Sequence, residues 1–366
     1  MSNKRKRTTT TTTVPSDDED ADATELIDDE DSATEELPSA VASAVSVELT
    51  TPSFGLGTLA LGVVYPDRAL RPSRAAAIQM IHALVDAGVR FFDTADTYCE
   101  DSSDLHYVEQ VIADALNSYA KGVPADLIVA TKGGMVRTRN GESSSSWFPG
   151  SNTRENVHRQ IKASFEALGR RPIDLWQIHH VNAAKDSLIS ATLTAVRAAH
   201  EMVRSGLVRR VGICNATVAQ LEALARERLP IASVQNEFSL FQQEAALPRK
   251  SAAHTTSKRG VLLYCMAQRI PFIAYAPLGG LKARRAERSL TEFAPLVDAA
   301  RRLGASVHAV ALAHMAARFS PMITIAGART TAHALDSTAG AAAVFKRLGE
   351  LSPAQRAALD GLWREK

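Results

Sequence analysis

Asp93, Asp96 and Tyr98 fall within six positions of one another in the stretch RFFDTADTYCE, residues 90–100. The aromatic and threonine run reads as a strand that ends where the acids begin. A carboxylate there, followed five residues later by a phenol, supports two readings. One is a strand turning to solvent on polar residues; the other is half of a proton-transfer site. Tyrosine has an ordinary pKa of about 10 and is a poor acid near neutrality. A lysine ammonium beside it would stabilise the phenolate and lower that pKa, and a buried aspartate would hold the lysine charged and in place. The chain offers Lys132 at the end of LIVATK (127–132) and His179 in DLWQIHH (174–180). Such a tyrosine can protonate an oxyanion as it forms, which is what carbonyl reduction by hydride requires, while His179 would orient the carbonyl oxygen. Each residue also has an ordinary explanation: Lys132 as a surface lysine, His179 as a core histidine beside His180.

What must position these groups is legible as an alternation. Strand-like runs at 54–60, 90–95, 127–132, 174–180, 209–214, 232–238, 271–277 and 322–327 are each followed by a helical pattern. The first helix begins near Pro72 and stops at Gly88. The second carries Val108, Val111, Ile112, Ala115 and Leu116 at helical spacing, and the third opens on Asn152 and Glu155 as a capping-box pair. Short, continuously apolar strands imply burial on both faces and hence a parallel sheet. Eight units over some 290 residues predict a (β/α)8 TIM barrel rather than an open doubly wound sheet. GLGTLALG does not make a dinucleotide fingerprint, because its last glycine is misplaced.

Chemistry in such a barrel sits at the C-terminal strand ends. Taken in order, those ends supply Asp93 with Tyr98, Lys132, His179, Cys214 with Asn215, Gln235, Tyr275, and then Gly327, Ala328 and Arg329. Asn215 and Gln235 could hold a carboxamide, and Tyr275 offers a flat face to an aromatic ring. That describes a nicotinamide pocket without a Rossmann fold.

Charge divides the chain. Residues 1–46 hold four basic and twelve acidic residues, a net −8, leaving 38 basic against 28 acidic, or +10, in residues 47–366. A basic body suits a phosphorylated ligand. The segment 1–46, with six consecutive threonines at 8–13, is expected to be a disordered acidic tail, since it has little apolar surface to offset chain entropy. KRKR at 4–7 could serve as a nuclear-import signal or be no more than a short solvated basic start. No apolar run approaches the roughly 18–20 residues of a membrane span. Three cysteines without metal-ligand spacing suit a reducing compartment. A cytoplasmic protein, monomeric or weakly oligomeric, without nucleic-acid, membrane or metal partners, is expected.

From about residue 53 to 364 the sequence resembles the aldo-keto reductases, on the ordered set GLGT, DTADTY, IVATKGG, DLWQIH, GLVRRVGICNAT, VQNEFSL, IAYAPLGG and IAGARTTAH. The resemblance implies a catalytic tetrad of Tyr98 as proton donor, Lys132 and Asp93 as its support, and His179 orienting a small-molecule carbonyl substrate. It implies NADPH as cofactor, with NADH as the other candidate. Cofactor contacts would come from Cys214, Asn215, Gln235, Tyr275, Pro277, Leu278, Gly279, Gly327, Ala328, Arg329, His333 and Asp336. Cys214 replaces the serine usual beside Asn215, and a thiol is the weaker hydrogen-bonding partner and a possible oxidation target. Gly327 and His333 fall where many members carry basic residues that grip the 2′-phosphate; histidine is a weaker cation than lysine or arginine near neutral pH. The resemblance also admits a potassium-channel-beta-like cofactor-binding regulatory subunit, or an inactive relative. Trp147 or Phe148, in the 136–152 segment, are candidates to cap the substrate pocket, and the 242–258 segment to close over the cofactor.

Overall fold

In a strand, side chains alternate between faces, so Phe91 and Asp93 share one face while Phe92 takes the other. A computed structural model, which describes residues 49, 54–63, 70–137, 147–150, 152–181, 187–246, 260–280 and 287–363, shows what the two faces meet. Eight strands pair in parallel and close into a barrel: β1 (Phe54–Gly57), β2 (Phe91–Asp93), β3 (Ile128–Gly133), β4 (Leu175–Ile178), β5 (Val211–Cys214), β6 (Ser233–Glu237), β7 (Phe272–Tyr275) and β8 (Met322–Gly327). Each pairs with its neighbour in sequence, and β1 closes on β8. The inward face is a packed layer of Phe91, Ile128, Ala130, Leu175, Ile273, Ile323 and Ile325, with Leu49 against it. Outward residues such as Phe92, Val129, Trp176 and Ile213 pack beneath the helices.

The period of two decides the site. Above the apolar layer, the next inward positions are Asp93, Lys132, Gln177, Cys214, Gln235 and Tyr275. A one-residue slip would send all of them into the helix layer. Gly212 shows how closely this interior is filled, because a Cβ there would lie 2.5 Å from Ser233 Oγ and 3.0 Å from Gln177 Cγ.

The helices that bear on the site are α1 (Arg74–Asp86), α2 (Tyr107–Asn117), α3 (Arg154–Ala167), α4 (Leu188–Arg204), α5 (Val218–Arg226), α6 (Val261–Ala267), α7 (Ala294–Leu303), α8 (Val307–Arg318) and α9 (Thr331–Leu335). Gly88 follows α1 with φ +85°, as its place in the sequence required. α3 differs from expectation: Thr153, not Asn152, is its cap, its hydroxyl accepting from the Asn156 N–H. Asn152 is engaged elsewhere, its amide donating to the His180 carbonyl at 2.7 Å. The amphipathic α7 was not anticipated, nor was the antiparallel pairing of Met135–Arg137 with Trp147–Pro149, inside a segment read as a loop. The first strand ends at Gly57 rather than residue 60, because Leu59–Gly62 winds into a helical turn.

No helix among the described residues is long and apolar enough to cross a membrane. The acidic segment 1–46 with KRKR, residues 247–259 of the long segment after β6, and the side chains of Trp147 and Phe148 lie outside the described residues.

Candidate active site

Asp93 ends β2 and Lys132 lies near the end of β3, one strand over, both facing inward and both essentially unexposed. Two opposite charges in such a place are tolerable only if paired and hydrogen-bonded, and they are. Lys132 Nζ donates to Asp93 Oδ2, to the Thr94 carbonyl at 2.8 Å and to the Tyr98 hydroxyl oxygen at 3.0 Å. Asp93 Oδ1 accepts from Gln235 Nε2 at 2.8 Å and Gln177 Nε2 at 3.3 Å. Its backbone carbonyl accepts from the Thr58 hydroxyl at 2.8 Å and the Thr58 N–H at 2.9 Å. Burial pushes the Asp93 carboxyl upward, while Lys132 and the two amides pull it back. Burial disfavours the Lys132 ammonium, but Asp93, with Tyr98 and Cys214 adding to it, outweighs burial and the lysine's pKa rises. With this many donors on the carboxylate, the ion pair is the form the geometry fits.

Tyr98 is only 8% exposed. Its pKa is pushed up to about 12, chiefly by burial, with Lys132 opposing and Asp93 adding to the rise. Lys132 does lower it, as expected, but loss of solvent outweighs the cation and the net shift is upward. Tyr98 is therefore a phenol at neutral pH. Because its oxygen accepts from Lys132, its own proton must point away from the ammonium. The His179 ring stands edge-on to it, with centroids 6.0 Å apart. Burial, and then the Lys132 charge, hold His179 well below the ordinary histidine range, so the imidazole is neutral. A neutral ring and a protonated phenol at one point make two hydrogen-bonding groups for a single oxygen.

These groups open into a cavity of about 870 Å³. Its walls include Asp93, Tyr98, His179, Cys214, Asn215, Gln235, Tyr275, Pro277, Leu278, Gly327, Ala328, Arg329 and His333; Lys132 lies behind the wall, and Gly279 and Asp336 do not line it. Asn215, with φ +54°, turns its side chain across the mouth. Its Nδ2 donates to the His179 carbonyl at 3.1 Å, and its Oδ1 accepts from the Tyr275 hydroxyl at 2.9 Å. Gln235 touches the cavity, but its amide is engaged by Asp93, so here it holds the acid rather than projecting toward a ligand. Asp336 accepts from the Ser306 hydroxyl at 2.6 Å and thereby joins the start of α8 to the end of α9. Burial raises the Cys214 thiol far above its ordinary pKa, which leaves little thiolate for the oxidation its position had suggested.

Two members of the cluster escaped the sequence reading. Gln177 sits two residues before His179 on the same strand face, and that spacing was the available signal. Thr58, just past β1, gave none, because its contact with Asp93 is a matter of strand neighbours.

The Aldo/keto reductase family model matches residues 53–363. An uncharacterised oxidoreductase of Schizosaccharomyces pombe is 29% identical over 281 residues, 75% of this chain and 78% of its own length. Pyridoxine 4-dehydrogenase of Escherichia coli is 28% identical over 319 residues, 85% of this chain and 95% of its own. In structure, the chain is similar to an aldo/keto reductase from Klebsiella pneumoniae in complex with NADP and acetate. The TM-score is 0.63 at 21% identity, over 86% of this chain and 94% of that one, a likeness of fold. With the family model spanning the whole barrel and the strand-end polar residues gathered at one mouth, this chain belongs to the aldo/keto reductase family of oxidoreductases.

Proposed function

We propose that this chain reduces an aldehyde or ketone to the alcohol, with NADPH as the hydride source and Tyr98 as the proton donor. The observation that carries the reading is the Lys132 ammonium, which donates to the Tyr98 oxygen while tied to buried Asp93. In this reading the substrate carbonyl oxygen lies between the Tyr98 hydroxyl and the neutral His179 ring. As negative charge develops on that oxygen, Tyr98 delivers its proton, and the nearby Lys132 cation stabilises the phenolate left behind. Asp93 keeps the ammonium charged and aimed. Gln177, Gln235 and Thr58 keep Asp93 in place.

The cavity fits the cofactor in the chemistry of its donors. Asn215 presents a side-chain amide beside the aromatic ring of Tyr275, suited to a carboxamide and a flat heterocycle. Arg329 and His333, on the same cavity wall, suit a phosphate. A reduced nicotinamide bound there would supply the hydride. Solved neighbours carrying NADP or NADPH favour the phosphorylated form. Relatives named for pyridoxine and for 6-dehydroglucose support a substrate among small polar carbonyl compounds and their alcohols.

The test is a steady-state and single-turnover assay with NADPH and with NADH against an activated aromatic aldehyde. Tyr98→Phe is expected to cut the rate by about 10²–10⁴-fold, the usual contribution of a positioned acid. Cofactor affinity should stay within a few fold. A mutant that keeps most of its rate would remove Tyr98 from the role.

A further inference from the structure

The outer face of β3 carries a second polar cluster. Thr131 precedes Lys132, so alternation turns it away from the barrel interior and toward α2. There its hydroxyl donates to Glu109 Oε1 at 2.5 Å. Glu109 Oε2 lies 2.5 Å from His106 Nδ1. Glu109 has no exposed surface, a place a carboxylate occupies only with compensating partners. Burial works against a charged His106, but the bond to Glu109, its charge and that of Asp96 outweigh this and the pKa rises.

His106 closes the segment that contains Tyr98. It takes a left-handed φ of +66°, and its backbone N–H donates to the Asp96 carbonyl at 2.8 Å. The Asp96 N–H in turn donates to the Lys132 carbonyl at 3.1 Å, and the Thr94 N–H to the Ala130 carbonyl at 2.8 Å. Tyr98 lies two residues beyond Asp96. On its far side, Arg137 Nη2 donates to the Cys99 carbonyl at 2.5 Å.

We propose that Glu109 is a positioning residue for the proton donor, tying the outer face of β3 to the loop that carries Tyr98 and so fixing the phenol against Lys132. This rests on the assignment of Tyr98 above. A carboxylate suits the task because it is acceptor-only at both oxygens and can hold donors from two elements at once. Glutamine keeps the volume but has one acceptor oxygen and no charge for His106.

The experiment compares the full-length wild type with Glu109→Gln, Thr131→Val and Thr131→Ser. Activity per folded molecule, substrate KM, NADPH dissociation constant and thermal midpoint are measured for each. Glu109→Gln and Thr131→Val should lower kcat by about tenfold or more, as small misplacements of catalytic groups do. NADPH affinity and KM should stay within about twofold, and Thr131→Ser should recover most of the rate lost in Thr131→Val. A lower thermal midpoint with unchanged kcat would make the cluster merely structural and overturn the proposal. Should Glu109→Gln fail to fold, the Thr131 pair decides, since it leaves the carboxylate and His106 in place. An inactive wild type would overturn the reductase reading and this inference with it; an active wild type matched by Thr131→Val would overturn this inference alone.

Discussion

The two ends of the cavity are built in opposite ways. At the β2–β3 end, Asp93, Lys132 and Tyr98 are buried and joined by hydrogen bonds through Lys132, with a further shell in Gln177, Gln235 and Thr58. At the β8 end, Gly327 and His333 are exposed and Arg329 is half-buried. On the proposed function, the contrast follows from the charges each end would handle. A proton donor must hold one geometry in a dry place, where fixed charges act strongly. A phosphate arrives with its own charge and counterions, and an open, cationic rim can receive it without burying an unpaired cation beforehand.

If that contrast is right, the largest effect comes from unpairing the buried end. Lys132→Met strands a carboxylate in the barrel, and removing one partner of a buried ion pair costs about 3–5 kcal/mol. Urea unfolding at neutral pH should show it, together with loss of turnover. A variant as stable as the wild type would mean that water reaches Asp93 after all.

Asp96 sharpens the comparison through pH. Its carboxyl is pushed from 3.8 up to about 7, by burial and then by Glu109. The folded protein therefore keeps a proton that the unfolded chain releases. Stability from this group is full at low pH, is lost as pH rises from about 4 to about 7, and is flat above that. At about 1.36 kcal/mol per pKa unit, the loss is roughly 4 kcal/mol. Asp96→Asn cannot ionise, so its stability relative to wild type should climb across that window and then level. Parallel stability curves from pH 4 to pH 8 would refute the burial of a titrating acid.

The open end should respond more gently. Arg329→Ala is expected to weaken NADPH binding by about 1.5–3 kcal/mol, the range for hydrogen bonds to charged groups. Affinity for NADH should hardly change, and neither should thermal stability. Calorimetric titration with both cofactors tests this, and equal losses for the two would place Arg329 away from the 2′-phosphate.

Much of the architecture could be read from the chain because it is written in local periodicity. The strand MITIAG was expected at 322–327 and is found at Met322–Gly327. Thr217 caps α5 with Gln220 completing a capping box. The misses share a cause. Asn152 was a plausible cap until a carbonyl from a strand-end loop competed for its amide. The hairpin at 135–137 and 147–149 escaped because its strands are three residues each, too short to show a period. Glu109 stood among helix residues as one charge like any other; nothing in its neighbours announced a threonine 22 positions away.

Sequence alone determined the alternation of elements, the residues at the strand ends and the acid, amine, phenol and imidazole that the proposed proton delivery uses. Those are properties of residue type and spacing, which the chain carries whether folded or not. Only the tertiary structure decided that Asp93 grips Lys132 with two amides behind it, that Gln235 serves the acid and that Tyr98 stays protonated. Each of these depends on the separation of residues distant in sequence and on how much water is left between them. Electrostatic energy depends on both, and closing the barrel sets both at once.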